Sequence, residues 1–166
     1  MGKYGKTPIS TPAFGCIFRS RLEVRLVCTL TALNVEWKYE PKYFKITKNL
    51  YYLPDLKCNY KDTQFWLEAK PRRPNKKEVT KACGLARIEN IPVLLTTSNP
   101  FFDRTLEANI YWKDERGRIC NDKGNFHDFL GISYLEYAQA VNRARDAFDA
   151  IPGITKRRSN KRFRAG

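Results

Sequence analysis

A single α/β domain, a mixed β-sheet flanked by α-helices, is the fold class the sequence predicts, and three observations predict it. Glu23, Leu26, Val27 and Leu30 recur at i, i+3, i+4 and i+7, one stripe of a helix. Val35, Trp37 and Tyr39, and later Phe65, Leu67 and Ala69, keep the two-residue period of strands. Beyond Pro71, a capped helical stripe precedes the short apolar run Val93-Leu94-Leu95, the order of a buried parallel strand reached by a crossover helix.

Taken in order, residues 1–15 mix glycine, proline, lysine and hydroxyls without an apolar period and read as an N-terminal arm or loop. The first helix runs to about Leu33, with Asn34 as its stop. Val35 to Tyr39 is a half-buried strand ended by Pro41. Tyr43 to Ile46 and Leu50 to Leu53 flank Lys48-Asn49 as a hairpin, and the second run delivers Pro54-Asp55. Lys57 to Thr63 reads as a polar loop, and Gln64 to Lys70 as the next strand. Asn75 with Glu78 forms a capping box for a helix whose stripe is Val79, Ala82, Cys83 and Ala86. From Ser98 to Leu130 the pattern predicts only a hairpin, Ile110 to Trp112 with Ile119-Cys120, decorating the core. Ser133 and Glu136 cap a closing helix with Tyr137, Val141, Ala144 and Phe148 on one face, ended by Pro152-Gly153. The predicted organisation is an arm over 1–15, one domain over 16–153 and a basic tail over 154–166.

Composition narrows the function. A chain of 166 residues, 42% of them hydrophobic, supports one compact core. No run approaches the roughly 20 apolar residues of a membrane span, and no signal-peptide core opens the chain. The expectation is a soluble, unexported, cytoplasmic protein. Five cysteines without CxxC spacing and a lone histidine, His127, argue against a disulfide framework, a structural zinc site and imidazole-based catalysis. A net charge of +14 draws polyanions through counterion release, so the expected partner is nucleic acid, with no membrane and no small-molecule cofactor.

The candidate chemistry is a carboxylate, Asp55, ending one apolar run, followed by Glu68 and Lys70 on the next strand. Residues two apart on a strand share a face, so Glu68 and Lys70 point the same way. Phosphodiester hydrolysis needs a charge clamp, an activated water and help for the leaving oxygen, which carboxylate-held Mg²⁺ can supply. Asp55 and Glu68 are hard oxygen ligands, and the Ala69 carbonyl could add another. Lys70 would hold the phosphate, stabilise its developing charge, or orient and help deprotonate the water.

Glu-x-Lys also occurs at Glu36-Trp37-Lys38 and Glu40-Pro41-Lys42, where salt-bridged residues on a solvated strand face are the preferred reading. Glu23 allows two readings. Ser20-Arg21-Leu22-Glu23 is a capping box in which Glu23 bonds back to the cap amide. Alternatively its place on the inward stripe gives a buried acid that needs a metal, a metal-bound water or Lys70 as partner, which the mid-chain motif favours. Trp66 shares the face of Glu68, yet an aromatic on a strand is first a core residue. His127 reads as an ordinary surface or capping histidine. Arg19, Arg21, Arg72, Arg73, Arg143 and Arg145 are candidate phosphate contacts or simply a solvated charged face. The tail, Lys156, Arg157, Arg158, Lys161, Arg162 and Arg164, is the stronger candidate, since it has almost no apolar anchor.

Glu23 on a first helix, Tyr52-Leu53-Pro54-Asp55, and Glu68-Ala69-Lys70 followed by a helix and Pro92-Val93-Leu94-Leu95 together resemble the PD-(D/E)XK nuclease superfamily, over roughly residues 18–97. Phe18 to Glu23 and Trp37 to Pro41 are similar to small nuclease-like proteins of bacteriophages, and the order of elements to phage endonucleases that resolve branched DNA. The resemblance implies a restriction-endonuclease-like fold and a DNA endonuclease in which Asp55 and Glu68 bind Mg²⁺ or Mn²⁺. Lys70 would act at the nucleophile, and Glu23 would complete the acidic cluster. Cutting both strands would call for a homodimer, and a phage-encoded chain would work in its host's cytoplasm. Many relatives carry a glycine directly after the lysine, where this chain has Pro71. The rival reading is a non-catalytic nucleic-acid-binding protein that retains a nuclease fold.

Overall fold

The computed structural model describes residues 9–154; the basic run from Lys156 to Arg164 lies outside them. The last part of the expected arm is a hairpin instead of a loop. Strands β1 (Thr11–Ala13) and β2 (Cys16–Phe18) are joined by Phe14 and Gly15, both at positive φ (52° and 73°). Two such residues in succession match the twist of flanking strands in a two-residue turn. With three residues each, the strands were too short to show a period.

Helix α1 (Arg21–Ala32) carries the predicted stripe and is capped by the Ser20 hydroxyl, and Asn34, at φ 57°, turns the chain out of it. Then come β3 (Glu36–Tyr39), β4 (Phe44–Thr47), β5 (Leu50–Tyr52), β6 (Leu56–Tyr60) and β7 (Thr63–Ala69). Helix α2 (Lys76–Glu89), with both bonds of its Asn75–Glu78 capping box, leads to β8 (Val93–Thr96). β9 (Glu107–Lys113), β10 (Ile119–Asn125), α3 (Phe126–Leu130) and α4 (Tyr134–Asp149) complete the described chain.

Six strands form one mixed sheet in the order β10-β9-β8-β7-β6-β3, in which β7 and β8 are parallel and the other neighbours antiparallel. Two expectations fail here. The segment expected as a polar loop from Lys57 supplies most of β6, whose Leu56 and Cys58 are buried while Lys57 and Asn59 face outward. The hairpin expected to decorate the core is the outer third of the sheet, because β9 pairs with β8 along its length. The β4–β5 hairpin forms as expected, as a separate two-stranded sheet.

The sheet separates two cores. On one face Leu56, Cys58, Phe65, Leu67, Leu94 and Ala108 meet the buried sides of α1, α3 and α4. On the other, Trp66, Val93, Leu95 and Tyr111 meet α2 and the hairpin residues Phe44 and Tyr52. The hairpin sits so close to α2 that a Cβ built at Gly84 would overlap Ile46 Cγ2, so this helix position accommodates only glycine without a shift. Among the described residues no helix is long and apolar enough to cross a membrane.

Candidate active site

The sheet register brings the mid-chain acids together. β6 and β7 pair at Leu56 and Leu67, so one step further stand Asp55 and Glu68. The Ala69 amide donates to Asp55 Oδ2 at 3.0 Å, fixing that carboxylate against the end of β7. Across the parallel pair, Thr96 Oγ1 donates to the Glu68 carbonyl at 3.1 Å, and the Lys70 amide donates to the Thr96 carbonyl at 2.8 Å. Glu68 and Lys70 share a face as predicted, and their side chains form an ion pair.

Around this core, each charged group has partners. The Tyr52 hydroxyl, on the hairpin, donates to Glu68. Lys70 Nζ lies 3.2 Å from Glu78, which also receives Arg72 Nη1 at 3.1 Å. On the far side, Arg19 bridges Asp55 at 2.9 Å and Glu40 at 2.6 Å. Glu40 takes φ 41°, a left-handed conformation costly for a residue with a side chain, while its amide donates to the Asp55 carbonyl at 2.7 Å.

Glu23 belongs to this neighbourhood but meets different groups from those expected. Its carboxylate accepts from the Tyr39 hydroxyl at 2.8 Å, the Arg19 amide at 3.1 Å and the Ser20 hydroxyl at 3.0 Å. The inward reading holds, while the capping box forms only by half: the Ser20 hydroxyl accepts from the Glu23 amide, but the Glu23 carboxylate bonds to the Arg19 amide and not to that of Ser20. No bond to Lys70 forms.

Burial sets the electrostatics. Glu23, Asp55 and Glu68 are 7%, 4% and 8% exposed. Burial first, then the charges of Glu68 and Glu23, push the Asp55 carboxyl up to about 8, although the Ala69 amide and Arg19 work against this. Burial alone would lower the Lys70 ammonium, but Glu68 and Glu78 outweigh it and the net shift is upward. Lys70 is therefore held as an ammonium between Glu68 and Glu78. Tyr52 is pushed well above the phenol range by burial and by Glu68.

Among the described residues, no three acidic, cysteine or histidine side chains are grouped so as to hold a metal ion between them. Two carboxylates and the Ala69 carbonyl nonetheless suit a hard cation that keeps much of its water, as Mg²⁺ does. The observation in favour is geometric: Asp55 and Glu68 stand side by side, both buried, at the end of the β6–β7 pair, with the Ala69 carbonyl next to them.

Apart from Arg19 and Arg72, the remaining candidate residues lie away from the acids. Trp66 is 1% exposed, edge-on to Phe44, so it is a core residue with no face for a base. Cys58 faces the α1–α4 core. Against expectation, His127 is buried in α3 beside Tyr134 and Tyr137. Arg143 donates to the Ala32 carbonyl at 3.1 Å, and Arg145 donates to the Phe101 carbonyl, so both tie α4 to its neighbours. Arg21 is half-buried with an unpartnered Nε. Arg19 and Arg72 are held in the ion pairs above, whereas Arg73 is exposed at the rim of a groove. The sequence reading missed Tyr39, Glu40, Tyr52 and Glu78 as partners of the acids. Tyr52, two residues from Pro54, and the second Glu-x-Lys at Glu40 were the available signals.

Compared with known proteins, the chain matches no family model, no curated protein and no solved structure.

Proposed function

We propose that this protein is a divalent-metal-dependent DNA endonuclease of the PD-(D/E)XK type, with a restriction-endonuclease-like fold. The observation that carries the reading is the convergence of Asp55, Glu68 and Lys70 at one end of the β6–β7 pair, with Asp55 pushed up to about 8 by burial and neighbouring acids. A purely structural cluster gains nothing from gathering buried acids that repel one another. A positively charged chain supports a polyanionic substrate.

Asp55, Glu68 and the Ala69 carbonyl would hold Mg²⁺ or Mn²⁺. The cation supplies Lewis acidity toward a phosphate oxygen and makes water acidic enough to attack near neutral pH. Lys70, an ammonium, holds a phosphate oxygen and the attacking water in line with the leaving oxygen. Its second carboxylate partner, Glu78, holds that ammonium beside the site independently of Glu68. Tyr52 limits the rotamers of Glu68, and Glu23 acts at one remove by orienting Tyr39 and Arg19 beside Asp55. Two such sites in a homodimer would cut both strands.

The test incubates the full chain with supercoiled, linear, single-stranded and four-way-junction DNA in Mg²⁺, Mn²⁺ or EDTA. Metal-dependent nicking is expected, lost in Glu68→Ala and Lys70→Ala while DNA binding persists. If every substrate is bound and none is nicked with either metal, the reading fails and a non-catalytic binding protein takes its place.

A further inference from the structure

Glu68 begins a row that crosses the sheet. By register it stands beside Leu95, Leu95 beside Asn109, and Asn109 beside Lys123, all on the α2 face. α2 covers this face as far as Tyr111 on β9 and leaves the end of the β9–β10 pair around Asn109 and Lys123 open. There a groove of about 560 Å³, lined by Arg73, Thr97, Glu107, Asn109, Lys123 and Asn125, adjoins a second of about 540 Å³ that shares Arg73, Asn109 and Lys123 and adds Asn121 and Asp122. Among the described residues, the side chains of Arg73, Asn109, Asn121 and Lys123 have no hydrogen-bond or ion-pair partner.

Building on the nuclease reading, we propose that this groove seats an unpaired strand of the substrate next to the cleavage site. The lining fits one strand better than a duplex. Asn109 and Asn121 each offer a donor and an acceptor, the pattern of exposed base edges. Glu107 accepts from exocyclic amino groups, but repels a surface that presents phosphates alone. Arg73 and Lys123 stand apart as the two cations for the backbone of a single strand. Three strand spacings separate Glu68 from Lys123, about 14 Å. That is about four nucleotides at a stacked rise of ~3.4 Å.

Fluorescence anisotropy in EDTA tests this without requiring cleavage. The probes are one labelled duplex, blunt or carrying single-stranded DNA tails of about two, four or eight nucleotides, with RNA tails as a parallel set. For the unaltered chain, affinity is expected to rise about tenfold over the blunt duplex and level off near four nucleotides. In Asn109→Ala/Lys123→Ala that ratio falls close to one, whereas an unaltered ratio, or no tail dependence in the unaltered chain, overturns the proposal. A gain confined to the RNA tails also overturns it, since the groove would then require a 2′-hydroxyl that a DNA strand lacks. Tail dependence in a chain that cuts nothing sinks the nuclease reading and leaves the groove; cutting without tail dependence sinks the groove alone.

Discussion

On the face covered by α1 and α4, the sheet contributes Leu56, Cys58, Phe65, Leu67, Leu94 and Ala108 to a continuous apolar cluster. On the face covered by α2 the cluster ends at Tyr52, Trp66 and Leu95, and Glu68, Lys70 and Asn109 follow. Helices α1, α3 and α4 seal the first face; α2 and a two-stranded hairpin cover the second only in part. The difference teaches where this fold can keep charge. Glu68 stands where the apolar cover stops, desolvated enough to sharpen its interactions and still beside a groove open to solvent.

The widest separation between the faces is expected from one pair of variants. Leu30→Ala, in the sealed core, should lose about 2–5 kcal/mol of stability in urea unfolding. Glu68→Gln should unfold within about 1 kcal/mol of the unaltered chain, because the amide still accepts from Tyr52, Lys70 keeps Glu78 as its partner when the ion pair to Glu68 is lost, and a charge that presses on Asp55 is removed. It should also abolish nicking. A Glu68→Gln chain as unstable as Leu30→Ala would make Glu68 a structural residue and erase the contrast.

pH provides the second separation. Asp55 has a folded-state carboxyl near 8 against an ordinary value of about 3.9, so between those values the folded chain holds a proton that the unfolded chain has released. Stability in EDTA should therefore fall as pH rises from about 4 toward 8 and change little beyond, by an amount on the order of a few kcal/mol. Melting temperatures across this range should show the slope, and Asp55→Asn should flatten it. Mg²⁺ should raise the melting temperature most at the alkaline end, where Asp55 is free of its proton. A flat profile in the unaltered chain would mean that Arg19 and the Ala69 amide fully neutralise Asp55.

The same contrast explains what could be read from the sequence. Phe65, Leu67 and Ala69 alternate cleanly because they face the sealed core, and this made the positions of Glu68 and Lys70 legible. β9 and β10 were only half legible because Asn109, Asn121 and Lys123 stand where apolar residues would mark a covered strand. β6 was lost for a related reason: Lys57 and Asn59 interrupt Leu56 and Cys58 in a strand of five residues. The partners Tyr39 and Glu78 join the acids through tertiary contacts, which no spacing along the chain encodes.

The smallest expected effect tests how firmly the thin cover on the α2 face is seated. Alanine favours a helix interior over glycine by up to about 1 kcal/mol, so Gly84→Ala would stabilise an unobstructed α2. Here the added methyl meets Ile46, whose Cγ2 is fixed by β-branching and whose Cβ would lie 3.4 Å away, so β4 must move. Overpacking of this kind costs about 1–3 kcal/mol and should reverse the sign. Because Tyr52 lies on the partner strand of that hairpin, nicking should weaken along with stability as the bond to Glu68 loosens. Combining Gly84→Ala with Ile46→Ala removes the obstruction, so the double variant should be less destabilised than the sum of the singles by about 1 kcal/mol. Additive losses would show that α2 and the hairpin are independent, and that the cover over Glu68 does not depend on their close approach.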